Sequence, residues 1–289
     1  MATWMFAADL HGRVVRYERL FDLVERERPE AVLLGGDLLP NGLDRSWSDE
    51  GRTGDFVTQW LAPRVDELRC RLGGSAPHVL VIPGNDDERR FEASFRAGER
   101  DGLWIWAHAR MVELGAHEVL GYGCVPPTPF ALKDWERYDV SRSVDPGCVP
   151  PDEGFRTVPA DLEDVRWGTI ANDLDVLAGE RPLGSTVCLF HSPPYGTCLD
   201  RAGLDGVWVE HVPVDVHVGS IAVRRFIERR APAAVLCGHV HEAARLTGRW
   251  REQLGSTWCL GAAWDGDELC VIRLDPGRPE AATRELVDV

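Results

Sequence analysis

Apolar runs of four to six residues recur along the 289-residue chain, and most stop at a glycine or an acid. Residues 3–8 (TWMFAA) form the first, "AVLLGGD" the second and "HVLVIPGND" the third; their lengths and their bounding turns predict buried strands. Between the first two, Val14, Tyr17, Phe21 and Val24 recur at helical spacing from Arg13 to Arg28, and Pro29 ends the helix. Between the second and third, residues 40–55 read as a polar, Gly-rich loop. "FVTQWLAPRVDELRCRL" then reads as a helix broken near Pro63. The first ninety residues therefore spell β-α-β-α-β, the pattern of parallel strands with helical crossovers.

Farther along, "RMVELG" and "HEVLGYGC" predict a hairpin, residues 124–158 a long surface excursion, and residues 160–178 a helix. "STVCLFHSPP" is a strand, residues 192–218 a second long loop, and "SIAVRRFIERR" a helix capped by Ser220. "AAVLCG" is the next strand. "STWCLGAAW" and "DELCVIRLD" predict a closing antiparallel pair. No repeat and no linker divides the chain, so residues 1–289 are expected to form one domain.

The polar residues that end these runs change the picture. Asp9 and His11 follow the first strand, Asp37 the second, Asn85 and Asp86 the third, His191 a later one, and His239 and His241 the last. All follow their apolar run; none precedes it. In open α/β sheets, sites form at the carboxyl ends of strands. Any one of these residues alone reads as a turn residue or a helix cap. Five strands ending alike read as a site, and glycines within two residues of the ligand candidates permit close approach. Imidazoles with carboxylate and amide oxygens suit Mn, Fe, Zn or Co better than Ca or Mg.

Asp9-x-His11, Gly35-Gly36-Asp37, Gly84-Asn85, His191 and Gly238-His239-x-His241 stand in the order that resembles the calcineurin-like metallophosphoesterases. The resemblance spans residues 9–241. It implies an α/β fold of four layers, αββα, with two mixed sheets flanked by helices. It implies that Asp9, His11, Asp37 and His241 hold one ion, and that Asp37, Asn85, His191 and His239 hold the second. The expected cofactors are two divalent or trivalent transition-metal ions (Mn, Fe, Zn or Co). The expected reaction is hydrolysis of a small phosphate ester by a metal-bridging hydroxide.

One position departs from the family pattern. Where a histidine commonly follows the asparagine and helps protonate the leaving group, this chain has Asp86. A carboxylate beside two cations is a poor general acid. Asp86 is therefore expected to orient water or a histidine, and His217, just before a helix N-terminus, to supply the proton. The departure favours small phosphodiesters or activated esters. The competing reading is a non-catalytic scaffold or regulatory protein that retains the fold; it predicts missing ligands, whereas all seven positions are filled.

Charge and composition restrict the rest. A net charge of −15 repels phosphate backbones and argues against nucleic acid as partner. No apolar run reaches the roughly 20 residues of a bilayer span, and the N-terminus lacks the marks of a signal peptide. Eight cysteines without a CxxC pair, four of them in strand-like runs, fit a reducing cytoplasm. The sequence leaves the oligomeric state open. Tyr195, Trp208 and His211 are read as lining a substrate pocket or, the favoured reading, as anchors of the 192–218 loop. His78, His108 and His117 are read as structural or solvent-exposed, and the acids at 49–55 and 161–164 as solvated faces.

Overall fold

The computed structural model describes residues 3–40 and 54–289. β1 (Trp4–Ala7), β2 (Ala31–Gly35), β3 (His78–Ile82) and β4 (Ile105–Trp106) run parallel, in that spatial order. The α1 crossover (Val14–Glu27) joins the first two, and Arg28 ends it in the left-handed region. The expected helix after β2 is a π-helical turn, Val57–Leu61, running into α2 (Ala62–Leu72). The break falls where Pro63 removes a backbone donor. Residues 41–53, with most of the 49–55 acids, lie outside the described residues. α3 (Glu92–Arg100) follows β3.

The expected hairpin forms from β5 (Arg110–Leu114) and β6 (His117–Tyr122). β6 opens a second sheet, parallel to β7 (Thr186–Phe190). Next to β7 lies β10 (Ala234–Cys237), and next to β10 lies β12 (Thr257–Gly261), both parallel; β11 (Arg251–Leu254) closes that edge. The expected helix over 160–178 is two helices, α4 (Leu162–Trp167) and α5 (Ile170–Ala178), and the second is capped by the Thr169 hydroxyl. α6 (Ile221–Arg230) starts at Ser220, whose Oγ accepts from Val223 N. α7 (Ala243–Thr247) precedes β11.

Each strand alternates between two cores. Phe6, Leu33 and Leu80 of the first sheet share one buried cluster with Leu189, Leu236 and Leu260 of the second. On the outer faces, Met5, Val32 and Val81 pack with α1 and α2 residues, and Phe190 packs with Phe226 of α6. The result is the expected αββα arrangement of two mixed six-stranded sheets.

Three expectations are corrected. β12 and β13 (Leu269–Leu274) do not pair with each other. β13 joins the first sheet, antiparallel to β1 and to β14 (Thr283–Val287). The "DGDE" turn between them imitates a hairpin signal, but the chain there passes from one sheet to the other. Residues 124–158 are no surface excursion: Lys133, Asp134, Glu136 and Trp135 are buried, and Asp139 accepts from Ile221 N at the start of α6. In the 192–218 loop, Trp208 begins a short hairpin, β8 (Trp208–Val209) with β9 (Val212–Pro213). It is 63% exposed, so most of it faces solvent and it is not a buried anchor of the loop.

Candidate metal centre

The carboxyl ends of β1, β2, β3, β7 and β10 meet at one edge of the two sheets, and backbone bonds fasten their loops together. Asp9 N donates to Gly36 O (3.0 Å), and His11 N to Asp37 O (2.8 Å), which joins the β1 and β2 loops. His191 Nδ1 reaches across to Gly35 O (2.7 Å), and His239 N donates to Asp9 Oδ1 (3.0 Å), which joins the sheets. Four of the residues concerned hold left-handed backbone: Asp9 (φ 57°), His11 (48°), Asp37 (53°) and His239 (75°). Non-glycine residues adopt this region at a cost, and such strain collects at functional sites. The sequence carries no mark of it.

Side chains converge accordingly. One ligand atom each from Asp9, His11, Asp37 and His241 lies within 4.8 Å of the others, and the same holds for Asp37, His191 and His239. Asp37 belongs to both groups. His11 Nε2 and His241 Nε2 stand 3.1 Å apart, and His241 Nε2 is 3.4 Å from Asp9 Oδ1. His191 Nδ1–H donates to Gly35 O, and Nε2 lies buried 3.2 Å from Asp37 Oδ2 without a well-formed hydrogen bond. At that distance a positive species belongs between the two atoms, a proton in the metal-free protein or a cation in its place. Asp9 Oδ2 and Asn85 Oδ1 are likewise buried without a hydrogen-bond partner. Buried polar atoms normally have one, so these three atoms fit a cation, and the donor set fits a transition metal.

The electrostatics agree. Burial alone would raise the pKa of Asp37, yet His191, His11 and His239 hold it well below the carboxylate range. Burial opposes the charge on His191, but Asp37 outweighs it and pushes the ring up to about 10. Against the same burial, Asp9 lifts His241 to about 9. Burial and the neighbouring His191 push His239 down to about 3. In metal-free protein, protons on two imidazoles balance two buried carboxylates. A bound cation would take the protons' place.

The third strand end behaves differently from the others. Asn85 Nδ2 donates to Asp86 Oδ1 (2.9 Å), and Asp86 N donates to Asp37 Oδ1 (2.8 Å). Asp86 Oδ2 is 3.9 Å from His11 Nδ1. Asp86 thus lies against three candidate ligands, one of them a histidine. His217 Nδ1 is bonded to buried Asp200 (2.8 Å) in the 192–218 loop and is not in either ligand group.

Two further residues act here that sequence reasoning passed over. Asp87 accepts from Leu38 N, Leu39 N and Gly84 N, clamping the loop after β2 to the loop after β3. Arg16 donates to Asp9 O (2.9 Å). An acid in the run Asp86-Asp87-Glu88 gave no hint of the first, and a helix arginine none of the second.

A family profile described as calcineurin-like phosphoesterase matches residues 3–243. The chain belongs to the calcineurin-like phosphoesterases. The match takes in all seven candidate ligands of this calcineurin-like phosphoesterase and ends two residues after His241, before β11 to β14 complete the two sheets. Among solved structures, the protein TT1561 of Thermus thermophilus aligns with a TM-score of 0.57 at 16% identity, covering 99% of each chain. A putative 5'-nucleotidase from Staphylococcus aureus in complex with alpha-ketoglutarate aligns at 0.51 and 12% identity, over 100% of this chain and 55% of that one. These likenesses support the fold. No curated protein matches the sequence. Among the described residues, no helix is long and apolar enough to cross a membrane.

Proposed function

We propose that this calcineurin-like phosphoesterase holds two transition-metal ions and hydrolyses small phosphodiesters or activated phosphate esters. The observation that carries the reading is the pair of ligand groups sharing Asp37, with buried atoms of Asp9, Asn85 and His191 left for a cation. Asp9, His11, Asp37 and His241 would hold one ion; Asp37, Asn85, His191 and His239 would hold the other. When bound, the ions supply an acidified water as nucleophile and stabilise charge on the phosphoryl oxygens.

The chain's own part is positioning. Gly35 O fixes the His191 tautomer, a second contact that metal-binding imidazoles commonly have. Asp86 ties up the amide nitrogen of Asn85 and so turns Oδ1 away from itself, toward duty as a ligand. Asp86 is a positioning residue in this reading, and its carboxylate is no proton source. For the leaving group, Asp200 orients the His217 ring, which is the proton donor in this reading.

A panel of bis-p-nitrophenyl, p-nitrophenyl and alkyl phosphates, with Mn, Fe, Zn, Co or Mg, tests the proposal. The account expects turnover with a transition metal, fastest on the diester or the nitrophenyl ester. Its loss in Asp37→Asn and a selective loss on alkyl esters in His217→Asn should accompany it. A metal-loaded protein inert on every ester would favour a scaffold that retains only the fold.

A further inference from the structure

Residues 262–268 (AAWDGDE), between β12 and β13, cross from one sheet to the other at the edge that carries the candidate ligands. β12 runs parallel to β10, so it ends beside the start of the His239 loop, and Ala262 N donates to Cys237 O (2.9 Å). β13 runs antiparallel to β1, so it starts where β1 delivers Asp9. The family profile stops at residue 243 and does not take in this crossing.

Arginines hold the crossing down. On the surface, Arg245 of α7 donates to Asp265 Oδ2 (2.7 Å), and Arg13, at the start of α1, to Asp267 Oδ1 (3.0 Å). Arg16 lies deeper, 6% exposed, and its guanidinium donates to three backbone carbonyls: Gly266 O (2.6 Å), Asp267 O (3.4 Å) and Asp9 O (2.9 Å). One planar group therefore spans the crossing and the residue that brings a carboxylate to the cluster. A lysine, with its compact charge, lacks that fork.

Asp9 depends on such support. Its backbone is left-handed (φ 57°), a conformation that persists only where the surroundings over-determine it. Asp9 N is held by Gly36 O, and Asp9 O by Arg16. The carboxylate has little room to move: Oδ1 accepts from His239 N (3.0 Å), and a Cβ on Gly238 would lie 2.5 Å from Oδ2. A shift of the Asp9 backbone therefore displaces its ligand atoms.

We infer that Arg16 is a positioning residue of the metal centre: it locks the Asp9 backbone to the 262–268 crossing and so sets the affinity for the ion that Asp9 would hold, more than for its neighbour. The inference rests on the two-ion reading, in which Asp9 belongs with His11, Asp37 and His241 and not with His191 and His239. The test is calorimetric titration of Zn or Mn into full-length, metal-stripped protein. Wild type should bind two ions. Arg16→Gln should bind one of them about tenfold or more weakly, the size of effect of other lost supports of ligands, and the other as in wild type. Arg16→Lys, which keeps the charge, should recover part of the loss. The weakened step should be the one that His241→Gln loses, and the retained step the one that His191→Gln loses. Arg19→Gln is the control: Arg19 also lies on α1 and donates to a C-terminal carbonyl, Asp288 O (2.9 Å), so its loss should leave both steps unchanged. Should Arg16→Gln fold poorly, Gly266→Ala tests the crossing from its other side. Its methyl would fall on the Trp264 indole and the Glu268 carboxylate, so Gly266 O must shift, and the same ion should weaken. Folded variants that bind both ions at wild-type strength, or that weaken both equally, overturn the inference alone. A wild-type protein that binds no ion overturns the two-ion reading and the inference with it.

Discussion

Replacing Asp87 by Asn probes how the site is held together without touching a candidate ligand. The side chain is 2% exposed. One oxygen accepts from Leu38 N (2.8 Å) and Leu39 N (2.7 Å), the other from Gly84 N (2.9 Å). Burial and the charge of Asp37 push its pKa up to about 7, so an assay at pH 8 reads the ionised form. In the Asn variant one oxygen can keep its two amides, but the new NH2 then faces the Gly84 N–H, donor against donor. Losing a charged bond and burying an unpaired donor costs about 2–4 kcal/mol, against a total stability on the order of 5–15 kcal/mol. At roughly 2 °C per kcal/mol for a chain of this size, the melting temperature should fall by about 4–8 °C. Gly84 and Asp37 belong to the loops so clamped, so metal affinity should also fall, by about 10- to 100-fold as for other lost supports of ligands. Thermal melts in chelator and metal titrations by calorimetry give both numbers. Melting within about 1 °C of wild type together with unchanged metal affinity would refute the clamp.

Other perturbations test other parts. In Gly36→Ala the new methyl would lie 2.6 Å from His191 Nδ1 at a φ of +95°, so it must displace the ring from Gly35 O; calorimetry should show weaker metal binding and melts a strain cost of about 1–3 kcal/mol. Lys133→Ala strands buried Glu136 and should cost about 3–5 kcal/mol by urea unfolding, whereas Lys133→Met with Glu136→Gln should cost less than the single change. His108 is held near 3 in the fold by burial and by Arg89, Arg96 and Arg137, below its ordinary 6.5. The unfolded chain therefore binds the extra proton first, and stability falls as pH drops from 6.5, by up to about 1.4 kcal/mol per unit. In chelator, His108→Gln should lose less stability than wild type between pH 6.5 and 5; equal losses would refute the assignment.

The candidate ligand positions, which the fold brings together, were legible because they follow apolar runs, and because a strand's end is fixed by where its run stops. Asp9, Asp37 and His191 needed nothing else. The pairing of β12 and β13 was not legible: both are apolar on both faces, and such runs do not say which sheet takes them. The 124–158 segment misled for a different reason. Its polar residues are buried because they satisfy one another, Lys133 with Glu136 and Asp139 with the first turn of α6, and composition cannot reveal such partners. Asp87 was hidden likewise, since its partners are backbone amides brought to it by the fold.

The central claim is that strand ends remote in sequence cage a pair of ions around one shared carboxylate. Metal content per chain, measured by mass spectrometry after loading with Mn, Fe, Zn or Co and desalting, tests it most directly. The account predicts two ions per wild-type chain, and loss of both or of all but weak binding in Asp37→Asn, because both ligand groups use that side chain. A folded wild-type protein that retains no ion, or an Asp37→Asn protein that retains the full complement, would contradict it.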